Sequence, residues 1–201
     1  MDNDWRGGFL FVGNHLALDF VNTRPVIRGE ATEFLVDGAA LARWLEACGL
    51  IGDEAGKRLT RLWPSRRFDA GVDAVRRFRE RFRQALLAME EGAIPDDPFL
   101  GELNRLLARY PRVMQVERQD LQLERRPRFA PQRPEDALGV LADAVADLLT
   151  ASDWSRLRKC QSCVLHFLDT SKKGTRVWCS MRLCGNRAKV AAHAQRARGL
   201  Q

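Results

Sequence analysis

Residues 160–190 read CQSCVLHFLDTSKKGTRVWCSMRLCGNRAKV, and their four cysteines decide how the C-terminal part of the chain folds. Cys160 and Cys163 form a C-x2-C pair, fifteen residues follow, and Cys179 and Cys184 form a C-x4-C pair. Two close thiol pairs separated by a hairpin-sized insert can deliver four sulfurs to one tetrahedral Zn2+, at about 2.3 Å each, without large backbone strain. A segment this short does not fold by core burial alone, so the metal would organise it. Two disulfides are the other use of such cysteines, and an iron–sulfur cluster would accept the same ligands. The opening MDNDWRGGFLFVGN has neither a basic n-region nor a secretory h-region of sufficient length, which predicts a reducing, cytoplasmic setting where this spacing signifies metal. The fifth cysteine, Cys48 in ALARWLEACGL, falls on the apolar side of a predicted helix and is expected in the core.

Charge divides along the chain. From Arg156 onward eleven Arg and Lys stand against Asp169 alone, a formal +10 within a chain of +7, so the preceding residues sum to −3. Four thiolates and Zn2+ would leave the tail at about +8. A compact basic module on a mildly acidic body points to a reader of polyanions, because Arg forks suit phosphates and guanine edges. A solvated, solubilising surface is the plainer alternative. The 201 residues and 45% hydrophobic content fit one medium soluble domain with a small appendage. No apolar run approaches the roughly 20 residues that span a bilayer, so no membrane partner is expected.

The residues before the tail predict an α+β fold, a mostly helical domain with a small antiparallel sheet. FLFVGNHLALDFVNTR begins as a short strand-like run, passes Gly13-Asn14 and predicts a short helix over His15 to Asn22 with Leu16, Phe20, Ala17, Leu18 and Val21 inward. Asn14, Asp19 and Asn22 are polar groups beside an apolar helix and need partners, either as braces of neighbouring loops or as contacts to a bound ligand. Asp37 is the expected N-cap of a helix that Gly49 closes, and a shorter helix runs from Asp53 to about Trp63 before Pro64. Val72, Val75, Phe78, Phe82, Ala85, Leu86 and Met89 predict a long helix over Asp69 to Glu91, whose Arg76, Arg77, Arg79, Arg81 and Arg83 are expected on a solvated face. A helix over Asp97 to Tyr110, two antiparallel strands (RVMQVERQ and LQLERRPRF) joined near Gln119-Asp120, and a helix from Pro134 to about Ala151 complete the body. Ser152-Asp153-Trp154 is the expected boundary, giving residues 1–152 and 153–201 as two parts joined closely enough to pack together.

The run from Cys160-Gln-Ser-Cys163 through Phe167-Leu-Asp-Thr-Ser171 and Arg176-Val-Trp-Cys179 to Cys184-Gly-Asn-Arg187-Ala-Lys resembles the CGNR zinc finger. In that family the finger follows an N-terminal ABATE domain in bacterial proteins described as stress-induced transcription regulators, and LALDFVNT at Leu16 to Thr23 resembles the opening of that domain. The resemblance implies a DNA-binding transcriptional regulator, responsive to stress or to a small-molecule effector bound by the larger domain. His166 departs from the aromatic or apolar residue more usual at its place and could compete as a ligand, although four cysteines already complete a tetrahedron.

The residues of the finger accommodate that role. A knuckle at Cys160 to Cys163, a hairpin through Leu165 to Trp178 turning at Lys172-Lys173-Gly174, and a helix beginning near Cys184 are expected. Leu183, Val190, Ala194 and Ala197 would form a narrow packing stripe on that helix, while Asn186, Lys189, His193 and Arg196 form a polar stripe beside it and Arg187 and Arg198 flank it. A helix so equipped could enter a major groove of duplex DNA, with Asn reading adenine, Arg guanine and Lys phosphate, and with Lys172, Lys173, Arg176 and Arg182 adding cations. Asn186 serves equally well as a local cap, and Phe167 and Trp178 are expected in the finger's small core. RNA binding is the close alternative, and a zinc-stapled protein-interaction module is the other. Only His15, His166 and His193 are present, with no P-loop and no G-x-S-x-G, so no catalytic constellation and no enzyme is expected. A symmetric homodimer on a two-part site is the default arrangement for a regulator of this kind.

Overall fold

Helices whose apolar stripes converge make up the body. In the computed structural model, which describes residues 4–27, 29–151 and 153–197, a short hairpin of β1 (Trp5–Arg6) and β2 (Phe9–Leu10) leads into α1 (Leu16–Val21). A second hairpin, β3 (Val26–Ile27) with β4 (Glu30–Ala31), precedes α2 (Gly38–Ala47), α3 (Asp53–Leu62), α4 (Asp69–Glu90) and α5 (Asp97–Arg109). The ribbon of β5 (Met114–Gln119) and β6 (Gln122–Pro127) then leads to α6 (Ala137–Ala151). The finger holds β7 (Leu157–Lys159), β8 (His166–Leu168), a π-helical turn over Met181–Gly185 and α7 (Asn186–Ala197). Each sheet among the described residues is a two-stranded antiparallel pair.

Local chemistry sets the boundaries. The Asp37 carboxylate accepts from the Ala40 N–H at 2.7 Å and starts α2, and Gly49 follows its end in the left-handed region at φ +78°. Asp96 caps α5 in the same way through the Phe99 N–H at 2.8 Å. Ala40, Leu41, Trp44 and Leu45 of α2 meet Phe20 and Val21 of α1, Val75, Phe78 and Phe82 of α4, and Leu141 and Val145 of α6 in one apolar core. Cys48 packs against that core half-buried, where desolvation pushes its thiol up to about 12.

Two expectations are corrected here. The arginines of α4 do not all lie on a solvated face: Arg79 is 1% exposed and forms ion pairs with Glu33 and Glu80, and it also donates to Thr23 Oγ1 at 2.9 Å. Two carboxylates and a hydroxyl compensate its desolvation, which an amphipathic pattern within one helix cannot reveal. In the finger, β7 pairs with β8 across the cysteine knuckle, with Arg158 opposite Phe167, so Leu165 to Trp178 does not form the expected hairpin. Residues 169–178 form a loop instead, because the buried Asp169 carboxylate accepts from the backbone N–H groups of Ser171 and Arg176 at 2.9 and 2.8 Å. Those bonds and the Ser171 side chain hold the carboxylate down to about 2.

No helix among the described residues is long and apolar enough to cross a membrane.

Candidate metal centre and nucleic-acid interface

The knuckle after β7 presents Cys160 and Cys163, and the π-helical turn before α7 presents Cys184 beside Cys179, so local turns bring both pairs together. All four Sγ atoms lie within 4.8 Å of one another. Cys163 and Cys179 sulfurs are 3.7 Å apart, and those of Cys179 and Cys184 are 3.6 Å apart. A tetrahedron with bonds of about 2.3 Å needs sulfurs about 3.8 Å apart, so the donor set fits Zn2+ in size as well as chemistry. Four thiolates this close would repel one another. Cys163 is pulled down to about 5 by the hydrogen bond with Cys179, the same contact pushes Cys179 up, and burial pushes Cys184 up to about 11. A divalent cation removes that conflict by displacing the remaining protons.

The surroundings support the sulfurs. Arg187 donates to Cys184 Sγ at 3.6 Å, a cation beside a ligand sulfur. A Cβ on Gly185 would stand 2.6 Å from Met181 Sδ, so the glycine serves close packing inside the π-turn more than an approach to the metal. His166 points away from the sulfurs, with its Nε2 2.5 Å from Glu90 on α4. Burial lowers its pKa, and the nearby Glu90 carboxylate raises it in part.

The finger is locked to the start of the chain. Leu10 and Val12 share a small apolar cluster with Leu165, Phe167 and the buried cysteines, against which Trp178 packs. Asp4 accepts from Ser180 Oγ at 2.7 Å and from Arg182 at 3.3 Å. Asn22 of the LALDFVNT stretch makes a two-point clamp on β8: its Nδ2 donates to the His166 carbonyl at 2.8 Å, and its Oδ1 accepts the His166 N–H at 3.0 Å. Asn14, with φ 56°, donates to the Leu168 carbonyl at 2.9 Å, and the Leu168 N–H donates to Gly13 O at 2.8 Å. Gly13 has room for no side chain, since a Cβ would lie 2.8 Å from Leu18 Cβ. Its N–H donates to Asp19 Oδ1 at 2.8 Å, and desolvation raises that carboxyl to about 6. Of the three residues expected as braces or ligand contacts, Asn14 and Asn22 therefore brace the finger, and Asp19 braces the turn that precedes α1.

The expected cations divide into two groups. Lys172, Lys173, Arg187, Lys189, His193 and Arg196 are exposed, as is Asn186. Arg176 is half-buried: it donates to the carbonyls of Trp178 and Cys179, and its guanidinium lies 4.7 Å from the Phe167 ring centroid. Arg182 is exposed and tied to Asp4, and Arg198 lies outside the described residues. The packing stripe expected on the last helix is used only at its start among the described residues, because Leu10 and Val12 of the N-terminal segment fill the finger core. Leu183 of the π-turn packs against that core, Ala194 is half-buried, Val190 is 69% exposed, and the Ala197 side chain lies outside the described residues. Arg158, exposed on β7, adds a cation that only the tail's charge count had signalled.

Fold and site together define a helical body with a four-cysteine finger docked on its first helix. The chain belongs to the ABATE family, described as "Putative stress-induced transcription regulator", which matches residues 14–152, and residues 156–197 match the CGNR zinc finger. No curated protein matches the chain. The protein is thus a zinc-finger regulatory protein and not an enzyme.

Proposed function

We propose that this protein is a zinc-dependent DNA-binding transcriptional regulator. Its body, residues 1–152, senses a stress-linked signal carried by a small-molecule effector, and its finger, residues 153–201, binds duplex DNA, with a homodimer matching a two-part site. The observation that carries the reading is α7: a helix anchored by the metal turn at one end, exposed along nearly its whole length, with Asn186, Lys189, His193 and Arg196 on one face. A helix that merely stapled the tail to the body would bury those groups. Zn2+ bound by Cys160, Cys163, Cys179 and Cys184 fixes the direction in which α7 projects. Lys172, Lys173 and Arg187 supply further phosphate contacts, with Arg198 adding its charge from outside the described residues, and Arg176 holds the preceding loop in place.

Fluorescence anisotropy of the metal-loaded chain with labelled genomic duplex tests this reading. Affinity should fall steeply with salt, with the log–log slope losing about 0.9 for each phosphate contact removed in Lys189→Ala or Arg196→Ala. Cys179→Ser should abolish binding through loss of the folded finger. Preference for structured RNA over duplex in competition would replace DNA with RNA. Affinity no greater than that of a simple polycation would leave a protein-interaction finger instead.

A further inference from the structure

A cavity of about 440 Å³ opens in the body between α5, α6, the foot of the β5–β6 ribbon and the start of α1. That size suits a small organic molecule. Its floor is apolar: Leu16, Leu107, Tyr110, Phe129 and Val140 line it, each left half-buried by the body's own packing.

The polar groups are unevenly charged. Asp143 and Asp147 line the cavity one helical turn apart on α6, a like-charge i, i+4 pair that needs cations to offset its repulsion. Arg112 answers Asp143 at 3.0 Å, and Asp136 accepts the backbone N–H groups of Gln132 and Arg133 at 2.8 and 2.9 Å. Asp147 faces His15 Nε2 at 4.0 Å. His15 Nδ1 accepts the Ala17 N–H at 3.3 Å, a role filled by a ring unprotonated at that nitrogen, which leaves Nε2 as the donor facing Asp147; burial lowers the pKa of His15 and the Asp147 carboxylate raises it in part. Arg128, the other cation on the lining, forms no ion pair with either aspartate among the described residues.

We propose that this cavity binds an apolar organic molecule carrying a protonated amine, with the hydrocarbon on the floor and the amine at Asp147. The inference rests on the reading of the body as the sensing part and names its ligand class. It also supplies a route to the finger. His15 caps α1 and directly follows Gly13 and Asn14, the two residues that hold Leu168 of β8, so an occupant that touches His15 bears on the clamp.

Calorimetric titration of the metal-loaded full chain with 3,3-diphenylpropylamine tests the site, with 3,3-diphenylpropionate and 3,3-diphenylpropan-1-ol as anionic and neutral comparators. The amine should bind about threefold to fivefold more tightly than the neutral alcohol, and more tightly still than the anion. Asp147→Asn, at a side chain 74% exposed, should remove that preference without unfolding the protein. Leu107→Trp, which fills the cavity, should weaken all three ligands. Saturating amine should also change hydrogen exchange at the Leu168 amide. No binding of the amine, equal binding of the three compounds, or an amine affinity unchanged in Asp147→Asn would overturn the site. Unchanged exchange at Leu168 would overturn the coupling. None of these measurements involves nucleic acid, so failure of the cavity and failure of DNA binding remain distinguishable.

Discussion

Removing the Arg79 guanidinium leaves the Glu33 and Glu80 carboxylates facing a hole beside Thr23. Arg79→Ala should therefore lower the unfolding free energy by about 3 kcal/mol, read as a shifted urea midpoint, and Glu33→Ala in the same chain should recover part of that loss. A double variant as unstable as the sum of the single ones would show that the pair is uncoupled. Asp19 behaves in the opposite sense. Its folded pKa is raised from 3.8 to about 6, so the fold prefers the neutral acid. The stability it contributes is fully present below pH 3.8 and is lost as pH rises through about 6. Asp19→Asn keeps an oxygen for the Gly13 N–H, so it should gain up to roughly 3 kcal/mol over the parent protein above pH 7 and nothing at pH 3.5. Denaturation curves across pH would show it, and a constant difference at every pH would sink it. Asp19 is visible in the sequence as a polar group beside an apolar helix, whereas Arg79 reads there as one more cation of a solvated face. The burial of Arg79 is not legible because Glu33 and Thr23, two of its partners, lie 46 and 56 residues away in sequence, whereas helical periodicity reports only neighbours within a few turns.

At the scale of elements, the clamp between α1 and β8 carries the next prediction. Asn22 satisfies both backbone groups of His166 from a side chain that is almost wholly buried, so Asn22→Ala strands a buried N–H and C=O. The expected cost is about 1–3 kcal/mol per unsatisfied group, localised as faster hydrogen exchange at His166 and Leu168 with the core of α2 and α4 unchanged. Uniform loss of protection would mean that the clamp does not act locally. The helices themselves were legible because their signals are local: Asp37 as a cap, Gly49 as terminator, and apolar spacing along α4. The finger hairpin was not, because nothing in CVLHFLDTS states that Asp169 folds the following loop upon itself while β8 turns back to β7. The role of Asn22 was half legible. Its need for a partner could be read from the sequence, but not that the partner lies 144 residues further along the chain.

For the whole molecule, two cores of unequal strength share one chain. The body has a continuous apolar core around Phe20, Trp44, Phe78 and Phe82 that needs no metal. The finger has little beyond Leu10, Val12, Leu165 and Phe167 around its sulfurs, too little apolar area to hold a fold without the cation. A structural Zn2+ contributes on the order of 10 kcal/mol to such a unit, and chelation removes it. Chelator should therefore release the segment from Cys160 to Cys184, shown by loss of amide protection there and by exposure of Trp178. Leu10 and Val12 should lose protection with it, although they lie at the opposite end of the sequence, because their apolar partners are in the finger. The body helices should keep their circular dichroism and most of their thermal stability, and zinc should restore the finger. If the whole chain unfolded on chelation, the two cores would be one cooperative unit. If Leu10 and Val12 stayed protected while the finger opened, the N-terminal strand would belong to the body and its packing against the cysteines would contribute nothing to either.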